Sequence, residues 1–98
     1  MRGRRLKKKI RETIVTILTR NDADRIAIFG SYAREEAGAK SDVDILVRFA
    51  RPKSLFQIVQ IEEEIKKSLH VKVDLITENA VSPYLADSIH RDEVVIFG

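Results

Sequence analysis

The sequence predicts an α/β fold, a small β-sheet of about four strands flanked by helices. Three observations carry this. Apolar residues at helical spacing alternate along the chain with short runs of branched apolar residues, turn formers separate the two kinds of segment, and no repeat or long linker interrupts the order. The resulting succession is αβαβαβαβ, and strand order does not follow from it. With 98 residues there is material for one hydrophobic core, so residues 1–98 are read as a single domain.

Leu6, Ile10, Ile14, Ile17 and Leu18 recur at helical spacing and predict an amphipathic helix over 5–19, ended by Asn21 and Asp22. The run RIAIFG, Arg25 to Gly30, suits a buried strand. Ser31 can cap a short helix to about Ala37, with Gly38 as its stop. VDILVRF, Val43 to Phe49, is the second strand, with Val43, Ile45, Val47 and Phe49 on one face and Asp42, Asp44 and Leu46 on the other. Ser54 and Gln57 have the spacing of a capping box for a helix whose stripe includes Ile58, Ile61, Ile65 and Leu69 and which ends near His70. A strand over 71–77, a helix from Ser82-Pro83 to about His90 and a last strand, EVVIF, complete the order. Phe56 and Tyr84 are read as packing residues, His70 and His90 as helix-end residues, and Glu62, Glu63 and Glu64 with Lys66 and Lys67 as a solvated face.

Composition narrows the function classes. No apolar run is long enough to cross a bilayer, and the basic start leads into a mixed pattern instead of a signal core, so a cytoplasmic protein with no membrane partner is expected. Having no cysteine excludes disulfides, thiolate metal sites and cysteine nucleophiles. Of the 18 Lys and Arg, seven precede Glu12, where there is no acidic residue; residues 12–98 carry eleven basic and fifteen acidic groups, a net of −4. The basic segment, Arg2 to Arg11, reads as a solvated first stretch of helix, or as a contact for phosphates, DNA or an acidic partner.

Asp42 and Asp44, two residues apart on a strand, point to one face and can converge on a cation; Asp74 joins them if its strand lies near on the same face. Oxygen-only ligands favour Mg²⁺ or Mn²⁺ over zinc. Gly30 allows close approach of a ligand to the backbone, and the amides that follow it, with the Ser31 hydroxyl and the Arg34 guanidinium, favour a phosphate. Together these parts suit metal-assisted phosphoryl or nucleotidyl transfer. Each part also has a structural reading: a helix start, a strand-edge cap, or an ion pair of Asp74 with Lys72 or Arg48.

Gly30 and Ser31, ten intervening residues, then Asp42-x-Asp44 resembles the nucleotidyltransferase superfamily that includes DNA polymerase beta, and within it the minimal nucleotidyltransferase (MNT) group. The resemblance runs over nearly the whole chain, with Arg34 at the motif arginine and Asp74 at the third acidic position. It implies the nucleotidyltransferase fold with a mixed sheet, two divalent ions, ATP or another nucleoside triphosphate as donor and pyrophosphate as leaving group. Asp42 and Asp44 would hold both ions, and Asp74 would hold the second and help deprotonate the acceptor. Minimal members act as MntA-type antitoxins of HEPN-type toxins, in some cases by attaching AMP to a toxin tyrosine. Many members have glycine after the motif arginine, where this chain has Glu35 and Glu36. The length favours an AMP-transferring enzyme over a polymerase with further domains. A non-catalytic antitoxin that binds its partner by contact is the alternative, and assembly as a homo- or hetero-oligomer is left open.

Overall fold

The computed structural model describes residues 2–30 and 42–98. Three helices and four strands follow in the order α1 (Arg2–Arg20), β1 (Ala23–Phe29), β2 (Val43–Phe49), α2 (Leu55–Leu69), β3 (Val73–Thr77), α3 (Pro83–Asp92) and β4 (Val94–Phe97), with a 3₁₀ turn over Glu78–Ala80. The helix expected to start at Ser31 falls outside the described residues. No helix among the described residues is long and apolar enough to cross a membrane.

Each boundary has a local cause. α1 stops where the Asn21 side chain donates to the Ile17 carbonyl at 2.7 Å and Asp22 turns to a φ of 71°, reversing the chain into β1. α2 begins at Ser54 with both arms of the capping box made: the Gln57 amide donates to Ser54 Oγ at 3.1 Å, and the Ser54 amide donates to Gln57 Oε1 at 2.8 Å. It ends at His70, which is left-handed with a φ of 57° and donates its amide to the Lys66 carbonyl. β1 starts two residues earlier than expected because Ala23 is buried opposite Phe49.

The strands lie in the order β3-β2-β1-β4. β1 pairs antiparallel with both β2 and β4, and β2 pairs parallel with β3, so the sheet is mixed. The parallel pair needs a crossover connection, which α2 supplies. Alternation along the strands divides the residues between two faces. Ile26, Ile28, Val43, Ile45, Val47, Val73 and Leu75 pack against Ile10, Ile14, Ile17 and Leu18 of α1 and Ile61 and Ile65 of α2. Ala27 and Leu46 meet Ile89 of α3 on the other face.

Two readings of individual residues are corrected. Phe56 is 71% exposed and Tyr84 95% exposed, so neither packs. The buried face of α2 is set by Ile61 and Ile65, and a helical turn of about 3.6 residues puts Phe56 on the side away from them. Glu62 does more than solvate its helix: it accepts the Leu75 amide of β3 at 3.0 Å, occupying one donor of that sheet edge.

Candidate active site

The face carrying α3 also carries the acidic residues. Asp44 and Asp74 are register partners on the adjacent parallel strands β2 and β3, so their side chains leave the sheet on the same side. The burial pattern agrees: Val43 and Ile45 on either side of Asp44, and Val73 and Leu75 on either side of Asp74, all turn into the core on the opposite face. Asp44 is half-buried and Asp74 is exposed. Asp42 lies one residue before β2 and is exposed.

Gly30 completes this end of the sheet. Across the antiparallel pair Phe29 stands opposite Asp44, and Gly30 follows with a φ of 72°. A Cβ built at Gly30 would collide with Asp44 Oδ2. Glycine is therefore required twice over, once for the left-handed backbone and once for the space that the carboxylate occupies.

Ser31, Tyr32, Arg34, Glu35 and Glu36 lie outside the described residues. Of the residues expected at the site, the structure brings Gly30, Asp44 and Asp74 together at one end of the sheet and puts Asp42 next to them in sequence. Among the described residues, no three His, Cys, Asp or Glu side chains are already gathered tightly enough to hold a metal ion. The ordinary ion pairs considered for Asp74 are not made. Arg48 instead donates to Asp24 at 2.6 Å, with Glu78 at 3.9 Å, and Lys72 enters no ion pair among the described residues.

The donor set suits a hard divalent cation. Its carboxylates come from neighbouring strands, where partner Cα atoms are about 5 Å apart, and the site sits beside Gly30, whose missing side chain leaves room for the Asp44 carboxylate.

The polymerase beta nucleotidyltransferase model matches residues 12–98. The chain belongs to that family. This nucleotidyltransferase is 41% identical over 86 residues to a Methanocaldococcus jannaschii protein provisionally named as a protein adenylyltransferase, the match covering 88% of this chain and 92% of the other. A chain in a toxin-antitoxin crystal structure with AMP-PNP superposes with a TM-score of 0.82 at 23% identity, over 90% of this chain and 73% of that one. A chain in a complex of tri-AMPylated Shewanella oneidensis HEPN toxin with MNT antitoxin gives 0.78 at 21% identity, over 94% and 72%. At those identities the two structures speak for the fold, and they share the mixed sheet of the nucleotidyltransferase.

Sequence reasoning missed a second set of polar residues on the same face, centred on Arg25 near the opposite end of β1. Arg25 reaches Glu78 at 3.0 Å and Glu93 at 2.7 Å, tying the sheet to the 3₁₀ turn and to the junction of α3 and β4. The only sequence signal was a charged residue, Arg25, beginning an otherwise apolar strand.

Proposed function

We propose that this nucleotidyltransferase moves AMP from ATP to a hydroxyl, a tyrosine, of a HEPN-type toxin and so acts as its antitoxin. The observation that carries the reading is the register of Asp44 with Asp74 beside Gly30. It supports two carboxylates with different tasks at one phosphate-accessible strand end. The adenylyltransferase name of the M. jannaschii relative and the toxin complexes among the structural neighbours support the acceptor class.

Asp42 and Asp44 would hold two Mg²⁺ ions, with Asp74 on the second; Mn²⁺ suits the same oxygens. Bound there, the ions would neutralise charge on the phosphates and lower the proton affinity of the acceptor oxygen. Gly30 lets the triphosphate lie against the backbone, and Ser31 and Arg34 supply hydrogen-bond donors to its oxygens. Asp74, exposed at the strand end, accepts the proton of the tyrosine hydroxyl. The tyrosine oxygen then forms a bond to the α-phosphorus, the bond from that phosphorus to the bridging oxygen breaks, and pyrophosphate leaves with the electron pair.

A second reading has its own observation. Leu55 is 78% exposed and Phe56 71% exposed on α2, a surface suited to neutralising a partner by contact alone. The test mixes protein, ATP, Mg²⁺ and the cognate toxin and reads the toxin's intact mass. Gain of an AMP mass on a toxin tyrosine, absent with Asp44→Asn, is expected. An Asp44→Asn protein that still fully neutralises the toxin would replace transfer with contact.

A further inference from the structure

We propose that the N-terminal half of α1 is a sequence-independent arm for the phosphate backbone of a double-stranded nucleic acid. Residues 2–11 hold seven Lys or Arg and no Asp or Glu. These residues are helical, and the helix has no acidic residue in its first turn. The helix dipole makes this end positive, so cations here oppose helix formation. A sequence selected only for helix stability would place them at the other end.

The cations that can be followed individually are not consumed inside the molecule. Lys8, Lys9 and Arg11 are exposed, and none enters an ion pair among the described residues. Elsewhere Arg20, Arg25, Arg48, Lys53 and Lys66 each have an acidic partner, while Arg51, Lys67, Lys72 and Arg91 are single cations scattered over the fold and not a contiguous run. Lys8 and Arg11, with Glu12, Val15 and Thr16, line one side of an open groove of about 500 Å³ whose other side is Val95 and Ile96 of β4.

Charge density favours a nucleic acid over an acidic protein. Ten helical residues span about 14 Å, so seven cations give roughly one charge per 2 Å, close to the one charge per about 1.7 Å along duplex DNA. A protein interface is centred on apolar anchors. From Lys8 to Arg20 α1 exposes no large apolar side chain; those exposed among the described residues lie on α2, α3 and β4. With no aromatic residue in 2–11 to stack on bases, the contact is to backbone.

The arm also has a place relative to the active site. The reversal at Asn21 and Asp22 runs α1 back along β1, bringing its N-terminal turns to the end of the sheet where Gly30, Asp44 and Asp74 lie, on the opposite face. The inference does not rest on adenylyl transfer, because binding needs neither nucleotide nor metal.

The full chain is titrated into a labelled 20-base-pair DNA of arbitrary sequence, and into the matching RNA duplex, without ATP or Mg²⁺, across a range of salt. Binding is followed by fluorescence anisotropy. The unsubstituted protein is expected to bind at least one duplex with log affinity falling by about 3 or more per decade of salt. Lys8→Gln, Lys9→Gln and Arg11→Gln combined should weaken binding about tenfold or more and reduce that slope by about 2 to 3, with an unchanged circular dichroism spectrum. Binding to neither duplex at low salt, or an unchanged affinity in the triple variant, overturns the proposal. So does poly-glutamate of equal charge binding as tightly as the duplexes, which would assign the arm to an acidic protein.

Discussion

The face of the sheet that carries α3 has two polar ends, and they treat their carboxylates differently. Towards the end where β1 and β2 meet the 3₁₀ turn, Arg25, whose side chain is only 21% exposed, holds Glu78 and reaches along the sheet to Glu93, which precedes β4 at the level of Phe29, and Asp24 is held by Arg48. At the Gly30 end, the sheet register sets Asp44 beside Asp74, and Asp74 and Asp42 enter no ion pair among the described residues. Two acidic clusters on one surface therefore separate by what surrounds them. One is neutralised from within the chain and ties distant segments together. The other is placed by backbone pairing, with Asp42 and Asp74 on exposed positions where an incoming cation can reach them.

The largest effect should come from the Gly30 end and should appear in rate alone. Asp74→Asn keeps shape and removes charge. It is expected to lower AMP transfer about a hundredfold or more, roughly 3 kcal/mol in the barrier. Its unfolding free energy in urea should stay within about 0.5 kcal/mol of the unsubstituted protein, since the residue is exposed. A large loss of stability with transfer intact would reverse the contrast between the two ends.

Next in size is the opposite experiment. Arg25→Met retains bulk and removes the cation that Glu78 and Glu93 share, leaving Glu93, whose side chain is 11% exposed, with only the His90 imidazole 3.4 Å from its Oε2 among the described residues. A loss of about 2–3 kcal/mol is expected in urea denaturation, because breaking a largely buried pair strands the remaining charges. Transfer per folded molecule should be unchanged. If stability is unaltered, Arg25 is not what fastens the turn and the α3-β4 junction to the sheet.

These two ends were not equally legible in the sequence. Local signals were read well: the Ser54 and Gln57 box, the alternation in VDILVRF and the stop at His70 depend on residues a few positions apart. The sheet order was not readable, because the β2-β3 and β1-β4 pairings join segments that no local pattern relates. At the Gly30 end, glycine-serine and Asp-x-Asp could be noticed as motifs. Their meeting depends on Gly30 making room for Asp44 and on α2 carrying the chain to a parallel β3. At the other end, Arg25 finds partners 53 and 68 residues away, and nothing in its neighbourhood announces them. Phe56 was misread for a related reason: its residue type suggests burial, whereas the phase of the helix, set by Ile61 and Ile65, turns it outward.

The smallest effect sharpens the comparison within the Arg25 end itself. Arg48 and Asp24 make a short contact, yet their side chains are 55% and 44% exposed. The hydrogen bond to Asp24, and then the charge of Asp24, hold the Arg48 guanidinium above its ordinary value despite a small opposing effect of burial. A cation whose folded pKa is raised contributes stability below its unfolded pKa and loses it only as pH rises through the folded value. For arginine that window lies in strong alkali, so titration of Arg48 adds no pH dependence near neutrality. Water and salt screen such an exposed pair heavily. Arg48→Gln should therefore move the urea midpoint far less than Arg25→Met, and whatever difference remains in dilute buffer should shrink as salt is added. An effect as large as that of Arg25→Met, or one insensitive to salt, would mean that connection to Glu78 outweighs burial in deciding which ion pairs hold this end together.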